Sequence, residues 1–250
     1  MFHHQQKKIM KTILTIAGSD SCGGAGIQQD LRTITSLHQY GATVITALTS
    51  QNTLGVQAVM HVPADVLASQ LRSVLSDLHV DAVKIGMVPN KDCAHVIVKA
   101  IRDMHCPIVY DPVMVSTSGT ALMDPECTDY VCQNLFPLCT LITPNLPEHS
   151  IVAPHIHTAY LLKGGHAEGS LMTDTLFLAD GTTHSFTSPR ISSSNLHGTG
   201  CCLSSAIATY LACGFSLPEA VKKGKDVVTQ AIDRAKDISI GKGNGPVLPF

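Results

Sequence analysis

The chain is poor in charge. Asp, Glu, Lys and Arg make up only 14% of its 250 residues, the formal net charge is −2, and no basic face or stripe stands out. A nucleic-acid partner is therefore not expected. Long apolar runs are missing too. None reaches the roughly 18–20 residues that a membrane span requires, so no membrane partner is expected either. The opening MFHHQQKKIMK holds no apolar stretch of signal-peptide length, and residues 1–10 read as a flexible extension. Neither a C-x-x-C pair nor an H-E-x-x-H spacing occurs among the nine cysteines and 13 histidines. The odd cysteine count argues against a disulfide framework. Cys93, Cys106, Cys127, Cys132, Cys139 and Cys213 sit among apolar neighbours and read as small buried hydrophobes in a reducing, cytoplasmic compartment. His38, His79, His95 and His105 fall at segment ends without ligand spacing. No linker, repeat or low-complexity stretch interrupts residues 11–250, which read as a single domain.

What is present is apolar, 44% of the chain, and it alternates between two periods. TILTIA (12–17), ATVITALTS (42–50), DAVKIGM (81–87), PIVYDP (107–112) and CTLITPN (139–145) read as buried strands. Between them, residues 25–39 place Ile27, Leu31, Ile34 and Leu37 on one helical face. A second helix from Pro63 turns Val66, Leu67, Leu71, Val74 and Leu75 inward, with Pro suited to a first helical position. Further helices are expected near 91–103, 126–136, 199–213 and 217–235. TDTLFLA and TTHSFTS, joined at Asp180-Gly181, read as a hairpin. The succession predicts an α/β fold: a mostly parallel central sheet between two helical layers.

In such sheets, ligands bind beyond the carboxyl ends of the strands. The segments GSDSCGGAG, SQNTLGV, KIGM, YDPVM, TPNLPE and KGGH all follow strand ends, which gathers glycines and polar groups on one edge. No G-x-x-x-x-G-K-[ST] occurs, and GGAG lacks the G-x-G-x-x-G spacing of a dinucleotide loop. HGTGC at 197–201 opens a helix. It is either an ordinary turn before a core helix or an anion site formed by the amides of Gly198, Thr199, Gly200 and Cys201, able to stabilise a phosphoryl group in flight. Cys201 at that helix start is expected to have a lowered thiol pKa. It can then serve as a general base or as a covalent nucleophile. Asp111 and Glu148 are either solvated caps or a pair that holds Mg²⁺ largely through waters. Lys163 is either a surface lysine or a point charge for transferring phosphate oxygens.

GSDSCGGAGIQQDL, ITALTSQNTLGV, DAVKIGM, DPVMVSTSG, TPNLPE, LLKGGH, NLHGTGC and GNGPV near the tail closely resemble, in order, segments of the hydroxymethylpyrimidine and phosphomethylpyrimidine kinases of thiamine synthesis, within the ribokinase-like superfamily. The resemblance runs from about Lys11 to the end. It implies a three-layer α/β/α fold, ATP and Mg²⁺, and two successive phosphorylations of 4-amino-5-hydroxymethyl-2-methylpyrimidine. It also implies that Cys201 replaces the Asp base of ribokinase-like sugar kinases. Gln51 and Asp30 become pyrimidine contacts, with Ala25, Val113 and Met87 as pocket wall. Asn145 and Glu148 become the Mg²⁺–phosphate pair, with Asp111 nearby and Lys163 and Gly200 at the phosphates. Gln51 suits an aminopyrimidine edge because an amide both donates and accepts.

One departure stands out. Only 18 positions separate Asn145 from Lys163, where the family usually has a longer segment with a covering helix. A parallel crossover normally takes about a dozen residues or more. The expectation is that residues 149–158 form no full helix, and that a partner subunit of a homodimer covers the bared sheet face. Two rival functions remain on this reading: a pyridoxal kinase of the same fold, and a non-catalytic pyrimidine-binding protein.

Overall fold

The first strand, β1 (Thr12–Asp20), shows how the sheet is built. Leu14 and Ile16 point to one face and Ile13 to the other, and all three are fully buried. That is the period-two alternation of a strand covered on both sides. Parallel neighbours flank it: β2 (Tyr40–Asn52) on one side and β4 (Ala82–Ile85) on the other, followed by β5 (Ile108–Tyr110), β6 (Leu141–Ile142) and β7 (Tyr160–Leu162). The edges are antiparallel. β3 (Gly55–His61) pairs with β2, while β8 (Leu171–Phe177) and β9 (Thr183–Pro189) extend the far side. The nine strands lie in the order β3-β2-β1-β4-β5-β6-β7-β8-β9. This computed structural model describes residues 10–116, 119–164 and 169–250. The expected extension at 1–10 falls, apart from the exposed Met10, outside the described residues.

Helices cover both faces. Leu67 and Leu71 of α2 (Ala64–Leu75), Ile97 and Ile101 of α3 (Lys91–Ile101) and Val131 of α4 (Pro125–Asn134) pack on the Leu14–Ile16–Val44 face. On the Ile13–Val109–Leu141 face lie Ile34 of α1 (Gly26–Ser36), Leu203 and Ile207 of α6 (Thr199–Ala212) and Val221 of α7 (Leu217–Ala235). This is the three-layer α/β/α arrangement expected from the alternating periods. α6 is apolar nearly all round and buried from Cys202 to Thr209, because sheet, α1 and α7 enclose it.

Several expectations change. Pro63 stands just before α2 as its N-cap, and Val66 is 46% exposed rather than inward. β3 was not legible: its residues are half-buried or exposed and show no clean alternation. Cys93, Cys127, Cys132 and Cys139 are buried as expected, whereas Cys213 is exposed and Cys106 half-buried. The short crossover also differs from expectation. It does contain a helix, α5 (Leu146–Val152), which starts directly at the end of β6 and runs into a 3-10 turn at Ala153–His155. A capping box starts it without a linker: the Asn145 side chain accepts from the Glu148 N–H, and Glu148 accepts from the Asn145 N–H. Val152 then buries completely in the same cluster as Tyr110 and Ile142. The sheet face is covered by this chain itself, so the shortened segment gives no reason to require a partner.

Candidate active site

The parallel strands end on one edge, and the residues just beyond them meet there. β5 delivers Asp111, β6 Asn145, β7 Lys163 and β2 Gln51, and the turn before α6 closes over them. Lys163 Nζ donates to Asp111 Oδ1 at 2.6 Å, and Thr143 Oγ1 donates to the same oxygen at 2.9 Å. Asp111 Oδ2 faces the start of α6: a Cβ on Gly200 would lie 3.1 Å from it and 3.7 Å from Lys163 Nζ. Gly200 thus leaves room beside an ion pair, where any side chain would intrude. Gly198, the N-cap, has φ +83° and comes so close to Gly24 that a Cβ would sit 1.9 Å from the Gly24 carbonyl oxygen. Only glycine satisfies both constraints. No side chain caps α6, so the positive end of a 14-residue helix opens next to Asp111 and Lys163.

The charges explain one another. Burial works against the Asp111 carboxylate, yet Lys163 and Lys84 hold it below the ordinary carboxylate range. Burial likewise opposes the Lys163 ammonium, but Asp111 and Glu148 keep it raised. Glu148 is pushed up to about 7 by burial, with Asp111 adding to the shift and Lys163 opposing it. One of its oxygens is engaged in the capping box, so Glu148 does serve as a cap. Among the described residues, no cluster of three or more His, Cys, Asp or Glu forms a metal cage.

Two expectations are corrected here. The thiol of half-buried Cys201 is not lowered by the helix start. Desolvation pushes it up to about 12, with Asp30 and Asp111 adding, while Lys84 and the Gly26 N–H favour the thiolate. The second concerns Asp30, which has no exposed surface and does not line the pocket. Its carboxylate accepts from Thr15 (2.5 Å), from Ser205 (2.8 Å) and twice from Lys84 (2.9 Å), an ion pair sealed beneath the site. Every acceptor position of Asp30 is already filled from within the chain, which leaves none for a ligand.

Ala25 at the start of α1 and Val113 after β5 are half-buried, and Met87 is 7% exposed with its sulfur against Gly18. Gln51 is half-buried at the end of β2. Sequence reasoning missed Asp20 and His197, which adjoin it: His197 Nε2 lies 2.8 Å from Asp20 Oδ2 and 3.1 Å from the Gln51 amide. Asp20 ends β1 and His197 opens HGTGC, so both lie inside motifs already singled out. Their meeting, 177 positions apart, is a tertiary fact.

Comparison with known proteins places this geometry. The family profile described as phosphomethylpyrimidine kinase matches residues 20–248. The hydroxymethylpyrimidine/phosphomethylpyrimidine kinase of Rhizobium meliloti (strain 1021) is 44% identical over 95% of this chain and 96% of its own length. Its counterpart in Escherichia coli K12 is 39% identical over the same shares. The crystal structure of phosphomethylpyrimidine kinase from Clostridium difficile 630 aligns with a TM-score of 0.75 at 37% identity, over 89% of this chain and 99% of that one. An ADP complex of Bacillus subtilis pyridoxal kinase aligns with a TM-score of 0.85 at 31% identity, over 96% and 97%. With its parallel strand ends, glycine turn and Asp–Lys pair at one edge of a ribokinase-like sheet, the chain belongs to the phosphomethylpyrimidine kinase family.

Proposed function

We propose that the chain transfers the γ-phosphoryl group of ATP to the hydroxymethyl oxygen of 4-amino-5-hydroxymethyl-2-methylpyrimidine, and then to the resulting monophosphate, for thiamine synthesis. The observation that carries this reading is the uncapped start of α6 facing Asp111 and Lys163, next to the Gln51 amide. An anion and a neutral heteroaromatic ring thus have adjoining seats. In the first transfer the hydroxymethyl oxygen forms a bond to the γ-phosphorus, the bond to the ADP oxygen breaks, and the hydroxyl proton leaves; in the second an anionic oxygen of the monophosphate attacks, ADP again departs, and no alcohol proton is released. The amides of Gly200 and Cys201 stabilise the charge on the moving phosphoryl oxygens, the Thr199 N–H being held by the Leu196 carbonyl. Lys163 supplies a positive charge to the same oxygens, and Cys201 receives the proton through the small ionised fraction that its raised thiol allows. Gln51 reads the ring edge, and Ala25, Val113 and Met87 wall it.

The donor set fits Mg²⁺ held through waters. Asp111 Oδ2 faces the cleft with Gly200 leaving space before it, and Glu148 lies beside it, but there is no complete protein cage. Bound there with Asn145 close by, Mg²⁺ would neutralise charge on the nucleotide phosphates. The nine free cysteines support a reducing, cytoplasmic setting. No described helix is long and apolar enough to cross a membrane. A homodimer is supported by the apolar side chains Leu48, Leu54 and Met60, exposed on the edge hairpin β2–β3.

The test is ATP consumption with the aminopyrimidine. ADP formation in two equivalents per pyrimidine is expected, and binding heat without ADP would show a binding protein instead. The pyridoxal kinase reading has one observation in its favour, the TM-score of 0.85 to the Bacillus enzyme. Backbone likeness reports the shared fold, and the ratio of kcat/KM on pyrimidine and pyridoxal separates the two substrates.

A further inference from the structure

The Gln51 amide can present itself in two ways, with its oxygen or its NH₂ toward His197, and the two orientations offer a ligand opposite polarity. The surroundings decide between them. Asp20 is 4% exposed, and its carboxylate accepts from the Cys22 N–H (2.8 Å), the Gly24 N–H (3.1 Å) and the Ala25 N–H (2.9 Å). Burial opposes its charge, but the hydrogen bonds from His197 and these amides hold it below the ordinary range. A carboxylate only accepts, so His197 Nε2, 2.8 Å from Oδ2, carries a proton. The same nitrogen lies 3.1 Å from the amide atom placed as Gln51 Nε2, while Thr49 Oγ1 faces the atom placed as Oε1; amide nitrogen and oxygen are assigned by their hydrogen-bond network, and here the network favours exchanging them. An N–H facing an NH₂ makes no bond, whereas an N–H facing the amide oxygen does. At its other end the amide is 3.1 Å from Thr49 Oγ1, whose hydroxyl has a second acceptor, the Ser19 carbonyl oxygen, at 3.2 Å. If the hydroxyl proton goes to Ser19, Thr49 Oγ1 is free to accept from the Gln51 NH₂. Oxygen toward His197, sharing the single Nε2–H with Asp20, and NH₂ toward Thr49 is the orientation that sets no N–H against an NH₂.

His197 is itself held hard. Its N–H donates to the Gly245 carbonyl (3.0 Å), its carbonyl accepts from Val247 (3.1 Å), and its ring lies against Gly24, where a Cβ would come 2.3 Å from Cδ2. Its side chain is 12% exposed. We infer that Asp20 and His197 are positioning residues that lock the polarity of the Gln51 amide, and so set which ligand edge this chain accepts. The matching edge carries a donor on the His197 side and an acceptor on the Thr49 side. Adjacent exocyclic amino and ring nitrogen groups of a 4-aminopyrimidine supply that pair. A pyridine with a ring hydroxyl flanked by a methyl group does not. The inference rests on the pyrimidine kinase reading for its ligand, and not for its hydrogen-bond polarity.

His197→Leu should raise the KM for the aminopyrimidine about 5- to 100-fold, with the KM for ATP unchanged within about twofold. His197→Gln, whose amide can donate from nearly the same place, should recover most of that loss. Because His197 acts through Gln51, the double variant Gln51→Ala/His197→Leu should be no worse than Gln51→Ala within about twofold. An unchanged pyrimidine KM in His197→Leu would overturn the inference. So would equal effects on both substrates, a His197→Gln variant as poor as His197→Leu, or additive losses in the double variant. Nitrogen-15 shifts of the histidine rings in the ligand-free protein test the polarity without any assay: Nε2 of His197 should carry the proton, and a bare Nε2 would refute it. If wild type gives no ADP with the pyrimidine, the functional reading falls while the ring spectrum still decides this one.

Discussion

Two Asp–Lys pairs lie near Cys201, and they differ in one respect. Lys84–Asp30 is sealed, with both side chains at 0% exposure, whereas Lys163–Asp111 retains 17% on the lysine and 3% on the aspartate. Lys84 sits within β4, so its side chain must leave the sheet through the core. Lys163 follows the last residue of β7, at the open edge. The same chemistry therefore yields a sealed strut in one place and a pair that reaches the strand-end edge in the other. Asp30 spends its oxygens on Thr15, Ser205 and Lys84, while Asp111 keeps Oδ2 toward the glycine turn.

The largest effect should come at the thiol that both pairs influence. Cys201→Ala is expected to lower kcat by about 10²–10⁴, with ATP and pyrimidine affinities by calorimetry near wild type. A variant that keeps most of its kcat would leave the turn working through its amides alone. Breaking the sealed pair should act on folding instead. Lys84→Met strands a buried carboxylate and is expected to cost about 3–5 kcal/mol of stability, read from urea denaturation. The open pair should give the reverse pattern. Lys163→Met is expected to lower kcat by about 10²–10³, with a smaller shift in the urea midpoint than Lys84→Met because Thr143 and Lys84 still serve Asp111. Equal stability losses in the two lysine variants would erase the distinction between the sealed pair and the open one.

Smaller effects sharpen the picture. Gln51→Ala should raise the pyrimidine KM by the equivalent of about 1–3 kcal/mol and leave the ATP KM alone. The smallest expected signal is the alkylation of Cys201 in the ligand-free protein. Desolvation pushes this thiol to about 12, so its thiolate fraction grows about tenfold per pH unit across the neutral range. Peptide-resolved alkylation should climb from pH 7 to 10 without a plateau. A plateau near pH 8 would mean that the helix start outweighs burial after all.

Much of the fold was legible because strands buried on both faces must be apolar throughout and helices must show a 3.6-residue period; TILTIA and the Ile27–Ile34 face each satisfy one rule. The edge strand β3 obeys neither, since half-exposed residues pair by backbone alone. The crossover helix α5 was missed for a different reason: length arguments assume a linker, and the Asn145–Glu148 capping box removes the need for one.

The sequence by itself determined which residues stand at strand ends, and hence that Asp111, Lys163, Gln51 and the glycine turn would share an edge. Local period and the rule that parallel strands point the same way suffice for that. Only the tertiary structure decided which carboxylate is sealed and which faces the cleft, that Cys201 is raised rather than lowered, and that Asp20 and His197 flank Gln51. Exposure, desolvation and contacts between residues 177 positions apart depend on what the remainder of the chain packs against them. A residue's neighbours in sequence do not determine its dielectric surroundings.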